Sequence, residues 1–572
     1  MSKKELLVKG LKNKDESIKL TKWMISVIKP YSRYVVYIFL ISVVSLLISY
    51  ASTIIGKYVV DDATKGEINF KNMMFMCATT VVSILIGIGS TILSNYINEK
   101  FSFTLRTKFF SDIQRSVWLD VSKYHSGDLV TRLTSDISTI SDSLISIIPN
   151  TILIVFQLVI SFCILFYYDK PIALFALIIG PIGALCMVIF KERYKKYQAE
   201  LRQTESEYRS FMQENLSSLT VVKTFQKEDD NEAQMEDFRK KRLGLVYKNS
   251  KLSSIMGALM KLVYSAGYVI AFCWGSYRIS TGDITYGTLT IFITLVSRVQ
   301  GSISGLAGII PQYYSMMISA KRICGVVDLK KESYIGATQM PEKVGVKVEN
   351  VDFAYDREMI LNNLSFEAVP GEKIAIVGPS GTGKTTIIRL LLALTHPNKG
   401  SIKYILDDKV AELASPDSRR YISYVPQGNT LLSGTIADNL RVGYKDATDE
   451  DMNRALRMAS ADRFVSKLPN GLDTVLSEKS GGLSEGQAQR ISIARALIGN
   501  KPIIILDEAT SALDEKTEAS VLKSITEEMV SKTCFIITHR RSMLKYCDRV
   551  IELDEEGGIT IKPISEYAVN TN

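Results

Sequence analysis

The sequence predicts a multidomain chain: an all-α membrane domain of six spans, followed by an α/β domain of the P-loop kind. Three observations predict it. Six long apolar stretches fall within the first 320 residues, the Lys and Arg residues gather on one side of them, and a glycine-rich segment, GPSGTGKTT, occupies 378–386. Composition sets the boundaries at 1–330 for the membrane domain, 331–342 for a linker and 343–572 for the second domain.

The spans come first in the chain. Tyr34–Gly56, Asn72–Asn98, Ser143–Tyr168, Pro171–Phe190 and Val299–Ala320 hold no charged residue, and Leu252–Tyr277 is interrupted only by Lys261. Each reaches the ~20 residues that cross a bilayer as a helix. With the N-terminus inside, the inner pieces (1–33, 99–142, 191–251) hold 29 Lys and Arg against five in the outer loops. That asymmetry orients the chain with both termini and the second domain in the cytosol, as a multi-pass protein of the cell membrane. The net charge of +9 is therefore topological, and nucleic acid is not expected as a partner. Seven cysteines, four of them in spans, imply no disulfide framework.

Before the first span, Leu20, Trp23, Met24, Val27 and Ile28 recur at helical spacing, which predicts an amphipathic helix on the inner membrane surface. The long excursions 99–142 and 191–251 are helix-forming, each with one break: Tyr124–Asp128 in the first, Asn215–Ser218 in the second. Long helices turning far from the bilayer suit levers that touch a cytosolic domain.

In the second domain, Gly378, Gly383, Lys384 and Thr385 fit the pattern G-x-x-x-x-G-K-[ST]. An apolar strand, Ile374–Val377, precedes it and a helical run, Ile387–Leu392, follows. In that setting backbone N–H groups around Ser380, Gly381 and Thr386 close on phosphates at a helix N-terminus, where the dipole favours anions. Lys384 is placed to neutralise the β- and γ-phosphates of ATP, and the Thr385 hydroxyl to ligate Mg²⁺. Ile503–Leu506 is an apolar strand ending in Asp507 and Glu508. There Asp507 is placed for the Mg²⁺ and Glu508 to activate the attacking water.

The remaining motifs carry a family resemblance. Leu483-Ser484-Glu485-Gly486-Gln487 resembles the signature of ABC ATPases, Gln427 their Q-loop, Ser511–Asp514 their D-loop and His539 their switch histidine. Tyr355 stands where the family stacks an aromatic on adenine, and YHSGDLVTRL (124–133) and QENLSSLTVVKTF (213–225) resemble the coupling loops of six-span ABC exporters. The resemblance implies that Gln427 and His539 join Glu508 in hydrolysis, Gln427 also serving the metal. It implies further that Ser484, Gly486 and Gln487 complete an ATP site across a dimer. Glu485 departs from the family's usual glycine and brings a negative charge toward the γ-phosphate.

One nucleotide domain and six spans per chain make a C2 homodimer the simplest closed solution. The reading is an exporter working by alternating access. A lipid flippase is the rival within the class; an ATP-gated channel or sensor predicts a crippled hydrolytic site, which is not seen. Lys261 and Arg298 are the charged residues well inside spans, functional candidates by default. In a dimer they are expected, with Asn150 and Gln157, to border a central cavity favouring an anionic substrate, an amphipathic peptide being the first guess.

Overall fold

The computed structural model describes residues 17–334, 340–355, 358–407, 410–428, 430–476, 482–528, 530–554 and 558–569. Of these, 180–181, 183–188, 410, 528, 541–542 and 567–569 are described by their backbone only. Two compact units emerge: one holds 126–328 with the N-terminal residues to 111, the other 112–125 with 329–572.

The first unit is built from six helices: α1 (Ser32–Thr64), α2 (Phe70–Gln114), α3 (Ser126–Tyr168), α4 (Lys170–Ser217), α5 (Glu228–Ser280) and α6 (Tyr286–Val327). All but α4 contain a stretch long and apolar enough to cross a membrane. In α4 the apolar stretch is described over Lys170–Ile179, and part of the expected span to Phe190, 180–181 and 183–188, lies outside the described side chains. The uncharged run 299–320 continues upstream to Ile284, interrupted only by Arg298, and the last helix takes in the whole of that apolar run from Tyr286, Arg298 included. Helix α6 begins at Tyr286, capped by Thr285, whose side chain accepts from Thr288 N. Counting ~20 residues from there places Arg298 well inside the bilayer portion, about 18 Å along the axis.

A buried cluster of Tyr50, Leu165, Ala176, Ala271, Phe292 and Val296 binds α1, α3, α4, α5 and α6 together. The short turns between helices are pinned by a few polar groups. Asp169 caps α4 by accepting from Ile172 N at 3.1 Å and also accepts from the Trp274 indole at 3.3 Å. Asp61, at the end of α1, accepts from Gly287 N at 2.8 Å and Thr285 Oγ1 at 2.9 Å. A Cβ on Gly287 would lie 2.2 Å from the Lys57 carbonyl oxygen, so glycine is what lets the two backbones meet.

The stripe predicted before the first span is helical, its Trp23, Val27 and Ile28 half-buried. Leu20 and Met24 are buried and Lys19 Nζ bonds Asp328 at 2.7 Å. The apolar stripe thus packs on protein, where it loses as much water as it would in lipid.

The second unit has two sheets. Strands β1 (Val344–Tyr355), β2 (Glu358–Ala368), β4 (Lys399–Leu406) and β5 (Val410–Leu413) form an antiparallel sheet in the order β2-β1-β4-β5. The main sheet runs β12-β11-β3-β10-β9-β6, with β3 (Lys373–Val377), β6 (Ile422–Val425), β9 (Ile503–Asp507), β10 (Thr533–Ile537), β11 (Arg549–Leu553) and β12 (Ile559–Pro563). All its pairs are parallel except β11–β12. Every residue of β9 and β10 is buried, which is why they read as unbroken apolar runs. A two-stranded ladder, β7 (Gly434–Thr435) with β8 (Val475–Leu476), completes the strands.

Candidate active site

The glycine loop leaves β3 and enters helix α7 (Lys384–Leu391). Gly378 has φ 151°, and a Cβ there would lie 2.6 Å from the Leu553 carbonyl oxygen; no other residue fits. Lys384 folds back over the loop, donating to the carbonyls of Gly378 at 2.8 Å and Pro379 at 2.6 Å. Burial pushes its ammonium pKa down, against the pull of Glu508 and Asp507. Ser380, Gly381 and Thr385 are exposed along the loop, while Thr386 turns inward and is buried.

Strand β9, separated from β3 by β10, carries both carboxylates at its end, and both act electrostatically on Lys384 of the loop. Asp507 closes β9, buried, and accepts from Tyr424 Oη at 3.2 Å. Burial raises its carboxyl pKa; the phenol opposes that and the Glu508 charge adds to it. Glu508 is turned out of the strand with φ 48°, an uncommon conformation for a non-glycine residue that is found at functional sites. Its carboxylate is then held from both sides, by Gln427 Nε2 at 2.6 Å and His539 Nε2 at 3.1 Å.

These residues fit ATP and a divalent cation. Lys384 now serves only neutral carbonyls, which a phosphate would outcompete. A cation would relieve the adjoining charges of Asp507 and Glu508, with Thr385 and Gln427 as its further donors.

Tyr355 receives a hydrogen bond on Oη from Arg389 Nη1 at 2.9 Å. The same guanidinium lies 4.9 Å from the ring centre of Trp118, contributed by the first long excursion. Neither Trp118 nor Arg389 stood out in the sequence; 271 positions separate them and no motif spans the gap.

Ser484 is the N-cap of helix α8 (Glu485–Leu497), in a reciprocal box with Gln487. Glu485 is exposed in the first turn of α8, a position where the helix dipole favours a carboxylate. Gly486 lies under the Ala512 carbonyl, 2.8 Å from where a Cβ would be. Gln489 Nε2 donates to the Glu508 carbonyl oxygen at 3.2 Å, tying α8 to the catalytic strand end.

Within the single chain the four membrane-domain candidates are placed as follows. Arg298 lines a cavity of about 570 Å³ between α1, α2 and α6. Asn150 lines another, of about 270 Å³, between α1, α2 and α3. Gln157 accepts from Tyr50 Oη through its backbone carbonyl at 3.0 Å, and Lys261 is exposed on α5.

A phosphate loop facing a strand-end carboxylate pair, on one chain with a bundle of membrane-crossing helices, defines a membrane-bound ATPase. Two family descriptions match: "ABC transporter transmembrane region" over residues 35–303 and "ABC transporter" over 361–511. An "ATP-dependent lipid A-core flippase" of Desulfotalea psychrophila is 32% identical over 454 residues, 78% of each chain. A "putative multidrug export ATP-binding/permease protein" of Staphylococcus aureus is 30% identical over 80% of each. In fold, the chain matches a bacterial Atm1-family ABC exporter with a TM-score of 0.79 at 23% identity, over 94% of this chain and 97% of that one. The chain belongs to the ABC exporter family, a membrane protein that couples ATP hydrolysis to transport.

Proposed function

We propose that the chain acts as a homodimer in the cell membrane, its ATPase domains in the cytosol, exporting an amphiphile by alternating access. ATP closes the two ATPase domains because it is bound more tightly in the closed state than in the open one. Each site is completed by Ser484, Gly486 and Gln487 of the other copy. Mg²⁺, held through Thr385, Asp507 and Gln427, would supply charge neutralisation at the phosphates. Glu508 takes the proton of the attacking water, Gln427 and His539 hold its carboxylate toward that water, and Lys384 offsets the phosphate charge.

The observation that carries this reading is the clamp on Glu508: a strained backbone and two polar partners at 2.6 and 3.1 Å fix one carboxylate at the end of β9. The test is Glu508→Gln. Hydrolysis should fall by at least about 100-fold, the contribution of a positioned base, while ATP still binds. Near-normal turnover in that variant would remove Glu508 from the role.

For the cargo, an anionic lipid-like amphiphile is favoured over a peptide. Two features support it: a cavity of about 570 Å³ suits one headgroup better than a folded-back chain, and relatives at about a third identity include flippases.

A further inference from the structure

The cavity beside Arg298 holds its donors and acceptors in an uneven arrangement. Seven hydroxyl side chains line it: Ser49, Ser52 and Thr53 from α1, Thr80 and Ser83 from α2, Thr290 and Thr294 from α6. Four of those hydroxyls already donate to carbonyls of their own helix: Thr53 to Ser49, Thr80 to Met76, Thr290 to Gly287 and Thr294 to Thr290, at 2.7–2.9 Å. With their protons committed, they offer the cavity acceptor lone pairs.

Donors are concentrated in one group. Arg298 Nη2 gives its hydrogens to Ser49 Oγ at 2.9 Å and Thr53 Oγ1 at 3.1 Å. Nε and Nη1 make no hydrogen bond among the described residues, and no carboxylate lines the cavity to pair with the guanidinium. The group is also held in place, 4.4 Å above the ring of Tyr50, which is buried and anchored through its hydroxyl to Ser161 and the Gln157 carbonyl. An ionisable group held on an aromatic face well inside a span, with two of its nitrogens open to the cavity, is a candidate site for an anion. Gly56, Val59, Val60, Met76 and Ile84 supply an apolar wall to the same space.

We infer that this cavity is a headgroup subsite for an anionic amphiphile carrying its own O–H or N–H donors. Nη1 or Nε of Arg298, each outside the Nη2 pair already given to Ser49 and Thr53, donates singly to a phosphate or carboxylate oxygen. The ligand's hydroxyl or ammonium donors meet the Ser/Thr oxygens, and its first methylenes lie on the apolar wall. The inference deepens the exporter reading and rests on it.

Phosphatidylglycerol has the required chemistry, a phosphate beside two hydroxyls; phosphatidylcholine has the phosphate without donors. The full-length protein in phosphatidylcholine nanodiscs is titrated with long-chain phosphatidylglycerol in the discs, or with soluble dihexanoyl phosphatidylglycerol. ATPase is read as a ratio to each variant's own rate in phosphatidylcholine alone. Wild type should be stimulated by at least one form. Response to the soluble form marks a free amphiphile as acceptable cargo; response to the long-chain form alone marks a membrane lipid. Arg298→Ala should raise the half-saturating concentration by about tenfold or more, the worth of a charge-assisted hydrogen bond. Arg298→Lys, which keeps the charge and loses the fork, should fall between. Equal stimulation by phosphatidylcholine-only and phosphatidylglycerol discs, no stimulation by either form, or an unshifted titration in both variants overturns the subsite. Absence of any ATPase activity in the wild type overturns the exporter reading instead.

Discussion

The two long excursions between membrane-crossing helices, 99–142 and 191–251, are built from the same kind of long helix and end in opposite ways. The first is sewn into the ATPase unit. Val117 N donates to the Lys330 carbonyl and Glu332 N to the Arg115 carbonyl, both at 2.8 Å. Trp118 stacks on Arg389, and Arg419 grips Glu332 with two bonds of 2.7 Å. Burial works against the Glu332 charge, yet Arg419 and Tyr334 together hold its carboxyl below the usual range. The second excursion closes on itself instead, through Asn231 to Asn215 at 2.8 Å and Lys223 to Glu228 at 2.9 Å. Its short helix, Leu219–Thr224, buries Val222 but leaves Val221 55% and the following Phe225 69% exposed. One loop is a finished joint within a chain. The other ends in uncovered apolar side chains, which the proposed second copy would cover.

Three variants, taken from the largest expected effect to the smallest, test that difference. Phe225→Glu places a charge where the uncovered tip would be buried, so cargo-stimulated ATPase should drop by more than about tenfold. The Michaelis constant for ATP should stay within about twofold, because that tip holds no nucleotide contact. Retained stimulation would show that the tip stays in water throughout the cycle. Arg389→Ala should act the other way round. Losing the Trp118 stack and the Tyr355 anchor should raise the Michaelis constant for ATP by about five- to tenfold. An unchanged constant would mean that Tyr355 needs no anchor. The weakest effect is expected of Glu485→Gly: basal ATPase should rise by about twofold, since an exposed charge acts through screening solvent. A fall would assign Glu485 to stabilising the first turn of α8.

The ATP site was legible because its chemistry is written in contiguous backbone. GPSGTGKTT is itself the loop, and Asp507-Glu508 is itself a strand end. What stayed hidden was geometry between distant segments. Nothing in Trp118 or Arg389 alone marks a joint. The left-handed turn at Glu508 has no compositional sign, since glycine would be the ordinary choice there. In the membrane half, hydropathy reports that a run is apolar but not where its helix begins. Arg298 was visible as an anomaly, but Ser49 and Thr53, which hold it, look like any α1 hydroxyls.

The meeting of Asp61 with the first turn of α6 limits how such a bundle can open. Pulling α1 away from α6 there would strip a carboxylate of two donors and break an approach too close to admit a methyl group. Those two helix ends therefore travel as a single rigid rib. At that same end α1 is also joined to α2, Asn72 Nδ2 donating to Asp62 at 3.1 Å, while farther along the pair meets through hydroxyls such as Ser45–Ser83 and Ser52–Thr80. A seam that opens there has to part from all three helix ends together.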